Sequence, residues 1–558
     1  MDWQKTIFII GMAVSAWLLA VQWNQFNIQK DLPEKTATLE TQDNQFHSET
    51  DLYKGGVITK EFSDELPTLT INKKETAPSP VINYDDLIKV TTKTLEIYID
   101  PIGGDIVRAT LLQHFDALSG TPITLLNNTE DNLYLARSGI IGKNGTDTVN
   151  GRPRFYSNSK DFNILDGTDI INVDLFFSEN NVDYIKRFTF SDDTYVIEVS
   201  YFINNNSSQD WSGNFYGQIK RDSNVPSTNA RPGLQAFLGA AIREPGKNFA
   251  KYEFNDIEED TVKVSINGGW LSMVQLYFIS AWIPPANNIN EFSLRKLSNK
   301  DEYIMSFISE PVLVPSGGAS EYSSKFYVGP KDQEALASLA EYLDLTIDYG
   351  PIWMIAKPIF FLMQLIERLI GNWGWAIVSV TALVRLALYP LTRASARSMA
   401  TMRKLQPQLT SLKELHADDK QKFAQEQMAL FKREKVNPLG GCLPIILQMP
   451  VFFAMYFVIL ESVEIRHEPW ILWIQDLSAH DPLYILPVLM GISLFLMQKS
   501  QPAPPDPMVA KVFKFMPIGF VAFTILWDFP SGLVLYWTAT NIFSIGQQYV
   551  VNKQLKIS

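Results

Sequence analysis

The segment NWGWAIVSVTALVRLALYPLTRA, Asn372–Ala394, is long and apolar enough to cross a bilayer, yet it carries a guanidinium, Arg385, past its midpoint. Lipid cannot hydrogen-bond a backbone, so a chain with such a stretch must be helical at that depth. On insertion scales an arginine near the centre of a spanning helix costs roughly 2.5–3.5 kcal/mol, so Arg385 needs water, a partner or a task.

Apolar runs at Gly441–Leu460, Pro482–Met497, Val512–Phe529 and Ser531–Val550 predict further spans. The stretch 351–371 is interrupted by Lys357, Pro358, Glu367 and Arg368, and predicts an amphipathic helix lying at the membrane surface. Near the N-terminus, Thr6–Val21 runs into QWNQFN without a small-x-small cleavage site, which predicts an uncleaved anchor over residues 1–26. Residues 27–80 are polar and lack apolar periodicity, so they predict a flexible tether.

From 81 to 350 the pattern changes to short alternating strands separated by Gly, Asn, Asp and Pro. KTLEIYID places Leu95, Ile97 and Ile99 on one face, and DYIKRFTFSDDTYVIEVSYFINNNS predicts two strands around a turn at Ser191–Thr194. A block of this kind predicts a large antiparallel β-sandwich, with Phe188, Phe190, Tyr195 and Tyr201 as packing residues. The separate composition and the tether mark it as a module apart from the membrane half.

Charge orients the chain. Residues 27–350 carry a net −18 and the remainder +6. Thr392–Asn437 hold ten Lys+Arg against five Asp+Glu, and the loop QKSQPAPPDPMVAKVFK holds three Lys and one Asp, which places both in the cytoplasm. Counting spans back from these loops gives six, over 1–26 and 372–550, with the acidic sandwich outside and both termini, including the short tail 551–558, inside. Taking the surface helix as a seventh span reverses either the sandwich or the basic loops. Within 393–437, Met402, Leu405, Leu409, Leu412 and Leu415, then Phe423, Leu430 and Phe431, predict an antiparallel helical hairpin whose first helix Pro407 strains.

Classical catalysis has little to stand on. A lone Cys442 allows no intrachain disulfide or Cys-rich metal site, and the five histidines form no ligand spacing. Walker, G-x-G-x-x-G and G-x-S-x-G motifs are absent, so the expectation is a non-enzyme without cofactor, nucleic acid or small-molecule substrate. Polar residues do gather at membrane depth: Thr381 one turn before Arg385, Gln448 in the next span, and Thr538, Thr540, Asn541 and Ser544 in the last. Such groups face each other or a wet cavity. Glu461, Glu464 and Asp528 lie towards the outer ends of their spans, leaving two readings of Arg385: it attracts an entering negative charge, or it snorkels to the headgroups. A small-anion transporter using Arg385 as counter-ion is the rival function, although no inverted repeat supports it.

The runs SVTALVRLALYPLTRAS, MRKLQPQ, EKVNPLGGCLPIILQMPVFFAMYF, WIQDLSAHDPLYILPVLMG and FPSGLVLYW, in this order after a long exported domain, resemble the bacterial YidC-type membrane protein insertases. The resemblance implies an inner-membrane insertase and chaperone with a β-supersandwich like that of sugar mutarotases. It implies a cytoplasm-open groove with Arg385, Thr381 and Gln448 as polar substrate-binding positions. A hydrophobic slide would comprise Met449, Phe452, Met490, Leu526, Tyr536 and Trp537, the last standing where relatives often have tyrosine. Implied partners are nascent membrane proteins, the Sec translocon, ribosomes and membrane lipids.

Overall fold

The computed structural model describes residues 86–554 apart from 118–119, 130, 150, 165–167, 227, 230–235, 299, 417–418, 435–442 and 500–506. The expected anchor and tether, and the last four residues of the tail, lie outside the described residues. The described chain divides into two units. One holds the residues up to Asp348 together with Leu460–Glu468; the other holds Tyr349–Ile459 and the residues from Pro469 on.

The first unit is a β-sandwich of a ten-stranded and a nine-stranded sheet. Its strands follow the period-two rule. Leu95–Asp100 buries Leu95, Ile97 and Ile99 and turns Glu96, Tyr98 and Asp100 outward. Val182–Ser191 and Val196–Asn205 form the expected hairpin, with Ile197 opposite Phe190 and Asn205 opposite Val182. Phe188, Phe190 and Tyr201 are in the core, each worth about 1.5–3 kcal/mol of burial, whereas Tyr195 is half-exposed. The sheets meet closely at Gly217, where an added Cβ would come within 2.3 Å of the Phe307 ring and 2.8 Å of Trp282. Two short helices, α1 (Phe254–Glu259) and α2 (Gln333–Leu339), belong to this unit.

One inward position on Val182–Ser191 is a lysine. The Lys186 ammonium is fully buried and donates to the carbonyls of Gly103, Gly104 and Ser138 at 2.9, 2.8 and 3.0 Å. Gly103 and Gly104 adopt φ of +73° and +66°, which turns their carbonyls towards it. Arg152 pairs with Asp105 and with Asp147 (3.1 Å) alongside, and Tyr216 donates to Asp147 at 2.6 Å. Burial pushes Lys186 down to about 7, while the nearby Asp105 carboxylate pulls it back up. Removing one member of such a network strands its partners, so Lys186→Met is expected to destabilise the sandwich by about 3–5 kcal/mol, read as a lowered unfolding midpoint of the full-length protein.

Leu460–Glu468 is the unit's unexpected member. Partly exposed Glu464 sits there, and desolvation, with lesser repulsion from Asp332 and Glu334, raises its carboxyl from 4.5 to about 7. Because the folded value lies above the unfolded one, the protonated form favours folding, and this contribution is lost as pH rises through about 7. The stability of Glu464→Gln relative to wild type is therefore expected to grow between pH 5 and pH 8, by at most about 3 kcal/mol and by less for a side chain in contact with solvent. Thermal unfolding of the two proteins across that range tests this.

The second unit is helical: α3 (Trp353–Ile370), α4 (Trp373–Ala387), α5 (Tyr389–Leu415), α6 (Lys420–Arg433), α7 (Leu443–Glu461), α8 (Ile485–Lys499), α9 (Pro507–Leu526) and α10 (Ser531–Gln554), with the last residues of α7 passing into the sandwich unit. Gly371 ends α3 at φ +73°, and Asn372 caps α4 by accepting from the Trp375 N–H at 3.0 Å. The span expected over Asn372–Ala394 is not one straight helix, since α4 and the start of α5 meet at 58°. Pro390 explains the break. It has no N–H for the Leu386 carbonyl and stands in the first turn of α5, where an N–H has no partner within the helix, while the Leu388 N–H bonds back to Val384 and Leu386. Among the described residues this bent pair meets the length and hydropathy of a span, and no single helix does.

The hairpin forms as its periodicity predicts. Leu405 and Leu409 of α5 pack on Leu430 and Phe431 of α6, with Met402 and Leu412 at the margin, whereas Leu415 is exposed. Pro407 lies inside α5 without ending it.

Candidate functional site

The bend fixes the site. Because α4 stops at Ala387, Arg385 lies in its last turn, where the unsatisfied carbonyls of a helix C-terminus favour a cation. One of those carbonyls is its own, and Gln547 of α10 donates its side-chain amide to it at 2.7 Å. Arg385 is only 9% exposed, its Nε has no hydrogen-bond partner, and among the described residues no carboxylate lies within ion-pair distance of it. Across from it, Gln448 of α7 donates to the hydroxyl of Tyr536 on α10, and Tyr536 is the titratable group that faces Arg385. The Gln448 carbonyl oxygen is buried and has no hydrogen-bond partner among the described residues.

Other expected polar residues turn inward on their own helices. Thr381 donates to the Ile377 carbonyl at 2.6 Å, Thr538 to Val534 at 2.8 Å and Ser544 to Thr540 at 2.6 Å. Asn541 instead crosses to Ser493 of α8 at 3.0 Å, tying α8 to α10. The convergent set is thus Arg385, Gln448, Tyr536 and Gln547. Gln547 went unnoticed in the sequence, where Pro390 was the signal that a helix end beside Arg385 would need a donor.

An apolar wall adjoins this set. Phe452 lies 4.9 Å from Trp537 and 6.4 Å from Tyr536, ring centre to ring centre, and Phe520 meets Trp537 edge-on at 4.9 Å. Phe523 and Phe529 continue the row to Tyr456. Phe520 and Phe523 were also missed, although their spacing of three already places them on one face of α9. Met449 and Leu526 are exposed, at 41% and 72%, whereas Met490 is fully buried in helix packing. Chemically the site offers a cation, an amide acceptor and a phenol beside an aromatic surface, a set suited to holding a polar segment next to an apolar one.

Residues 365–558 match the family model described as 60Kd inner membrane protein, and residues 87–362 match that of the YidC periplasmic domain. Over 559 residues the chain is 44% identical to the membrane protein insertase YidC of Cellvibrio japonicus (strain Ueda107), covering 100% of this chain and 99% of the relative. The chain belongs to the YidC family. The YidC insertase of Pseudomonas entomophila (strain L48) is 43% identical over 561 residues, with the same coverage. Among solved structures, an active YidC insertase with its first transmembrane domain resolved is 18% identical, over 84% of this chain and 93% of that one, with a TM-score of 0.38. A galactose mutarotase-like protein from Lactobacillus casei ATCC 334 is 8% identical over 43% of this chain and 99% of its own, with a TM-score of 0.32.

Proposed function

We propose that this protein inserts nascent membrane proteins into the bacterial inner membrane and chaperones them, without covalent chemistry. The observation that carries the site-level reading is a buried Arg385 with, among the described residues, no acid within ion-pair distance, set beside Gln448–Tyr536 and next to an apolar wall. A short hydrophilic tail enters among these polar groups and is held partly by Arg385. Its hydrophobic helix then passes along Met449, Phe452, Leu526 and Trp537 into lipid, driven by about 0.8 kcal/mol per CH₂ transferred.

The reading extends to topology and partners. Six spans, cytoplasmic termini and a periplasmic sandwich follow from the basic loops. The exposed apolar side chains of α3, Met354, Phe361, Leu365 and Leu369, suit contact with lipid at the interface. Insertion proceeds alone or with the Sec translocon, and translating ribosomes deliver the substrates. Small-anion transport finds no support among relatives named as insertases.

A photo-crosslinker at Phe452, probed during translation of a single-span protein, tests the reading. Adducts with the nascent helix are expected. Their absence, with the insertase abundant and the substrate still membrane-bound, would overturn it.

A further inference from the structure

Each glutamine of the site answers one neighbour and leaves an oxygen over. Gln547 turns its side-chain amide to the Arg385 carbonyl at 2.7 Å, and because a carbonyl only accepts, the Gln547 oxygen must face elsewhere. Gln448 donates its amide to the Tyr536 hydroxyl. The Oε1 atoms of Gln448 and Gln547 are both buried, and neither has a hydrogen-bond partner among the described residues. Tyr536, beside Gln448, and Gln547 stand eleven residues apart on α10, which is three turns, so they share one face and lie roughly 16 Å apart along the axis. At about 3.3 Å per residue this is the length of about five residues of extended chain. Arg385 stands between them, its backbone meeting Gln547 and its side chain facing Tyr536.

The chemistry of these atoms selects a ligand. A carboxylate or any other anion answers Arg385, but it brings only acceptors and leaves both glutamine oxygens unmet. A hydrocarbon side chain brings nothing to either. A peptide main chain carries an N–H at every residue except proline, and in an extended segment those donors have no internal partner, so taking them out of water is costly until an acceptor meets them. We propose that the Oε1 atoms of Gln448 and Gln547 bind main-chain N–H groups of the entering tail in extended form, while Arg385 responds to its charge. This rests on the insertion reading above. Holding the backbone admits tails of any side-chain sequence and separates the grip on the chain from the selection of its charge.

The test uses liposomes containing the full-length protein and a single-span substrate translated in their presence. Its translocated tail is alanine and glycine alone, so that the main chain is its one source of hydrogen bonds. Gln448→Met and Gln547→Met keep the side-chain length and delete the oxygen. Each is expected to slow insertion about threefold to tenfold at equal abundance, and to slow an aspartate-bearing tail by the same factor. Replacing tail amides by esters removes N–H donors and leaves the insertase untouched. That change is expected to slow wild type about tenfold and to leave Gln448→Met/Gln547→Met within about twofold of its own rate on the amide tail. Wild-type rates from either glutamine variant, a defect confined to the aspartate tail, or equal slowing of wild type and the double variant by the esters would each overturn the proposal. So would an ester tail that wild type inserts as fast as the amide tail, the result expected if water alone meets the two oxygens. If wild type inserts neither amide tail above the level of empty liposomes, the insertion reading fails first, and this proposal with it.

Discussion

A protein lacking residues 405–431 is expected to lose about tenfold or more in insertion while remaining abundant in the membrane. The structure makes this deletion clean. Leu405, Leu409, Leu430 and Phe431 form a cluster of their own, so removing them leaves no half of a shared core exposed, and Arg385, Gln448, Tyr536 and Gln547 are untouched. If the hairpin is a recruiting surface, its basic exterior raises the local concentration of incoming chains or of their carriers at the cytoplasmic mouth. Electrostatic capture of this kind accelerates encounter by about 10–1000-fold, so its loss should be large and should resemble the effect of raised salt on the intact protein. A hairpin that merely connects two helices predicts insertion at the normal rate. Insertion of one substrate by deleted and intact protein, compared at low and high ionic strength, decides the matter.

The sandwich was legible because alternation is a local signal. Leu95, Ile97 and Ile99 declare their face without reference to anything distant, and so does the hairpin around Ser191–Thr194. The hairpin of α5 and α6 was legible for the same reason, with the exposed Leu415 the exception. Lys186 ran against the pattern: a lysine at an inward position reads as an error until the carbonyls of Gly103, Gly104 and Ser138 are brought to it from other strands. The site was half legible. Arg385 and Gln448 stood out because polarity in an apolar run is conspicuous, but a helix also satisfies polar side chains internally. The hydroxyls of Thr381, Thr538 and Ser544 bond their own backbones, a distinction composition cannot make. Least legible was Leu460–Glu468, since membership of a distant β-unit depends on a pairing between Lys331 and Glu461 that no periodicity announces.

Arg385→Ala is expected to slow insertion of a substrate with an acidic tail by about tenfold, the lower end of the 1.5–3 kcal/mol of a hydrogen bond to a charged group. Arg385→Glu should be worse, because it sets a carboxylate where the entering tail already carries one and where Gln448 and Tyr536 must then accommodate it. Arg385→Lys should retain much of the rate, as it keeps the cation although it loses the planar fork. Position alone does not explain why a guanidinium is there. With 9% of its surface exposed, the side chain has not reached bulk water, and the C-terminal turn of α4 stabilises any cation by only about 0.3–1 kcal/mol, up to ~2 when partly buried. That falls short of the roughly 2.5–3.5 kcal/mol cost of the residue on insertion scales, so the helix end alone does not offset it. A binding role predicts something a structural role does not: the defect should follow the charge of the substrate. Neutralising the tail acids should erase the difference between wild type and Arg385→Ala, giving a coupling energy in a double-mutant cycle of more than about 1 kcal/mol, whereas loss of structure lowers insertase abundance and affects every tail alike. Insertion of one protein with and without its tail acids, normalised to insertase abundance, is the measurement. Equal defects for both tails would remove the electrostatic account of Arg385 and leave the residue as part of the packing between α4 and α10.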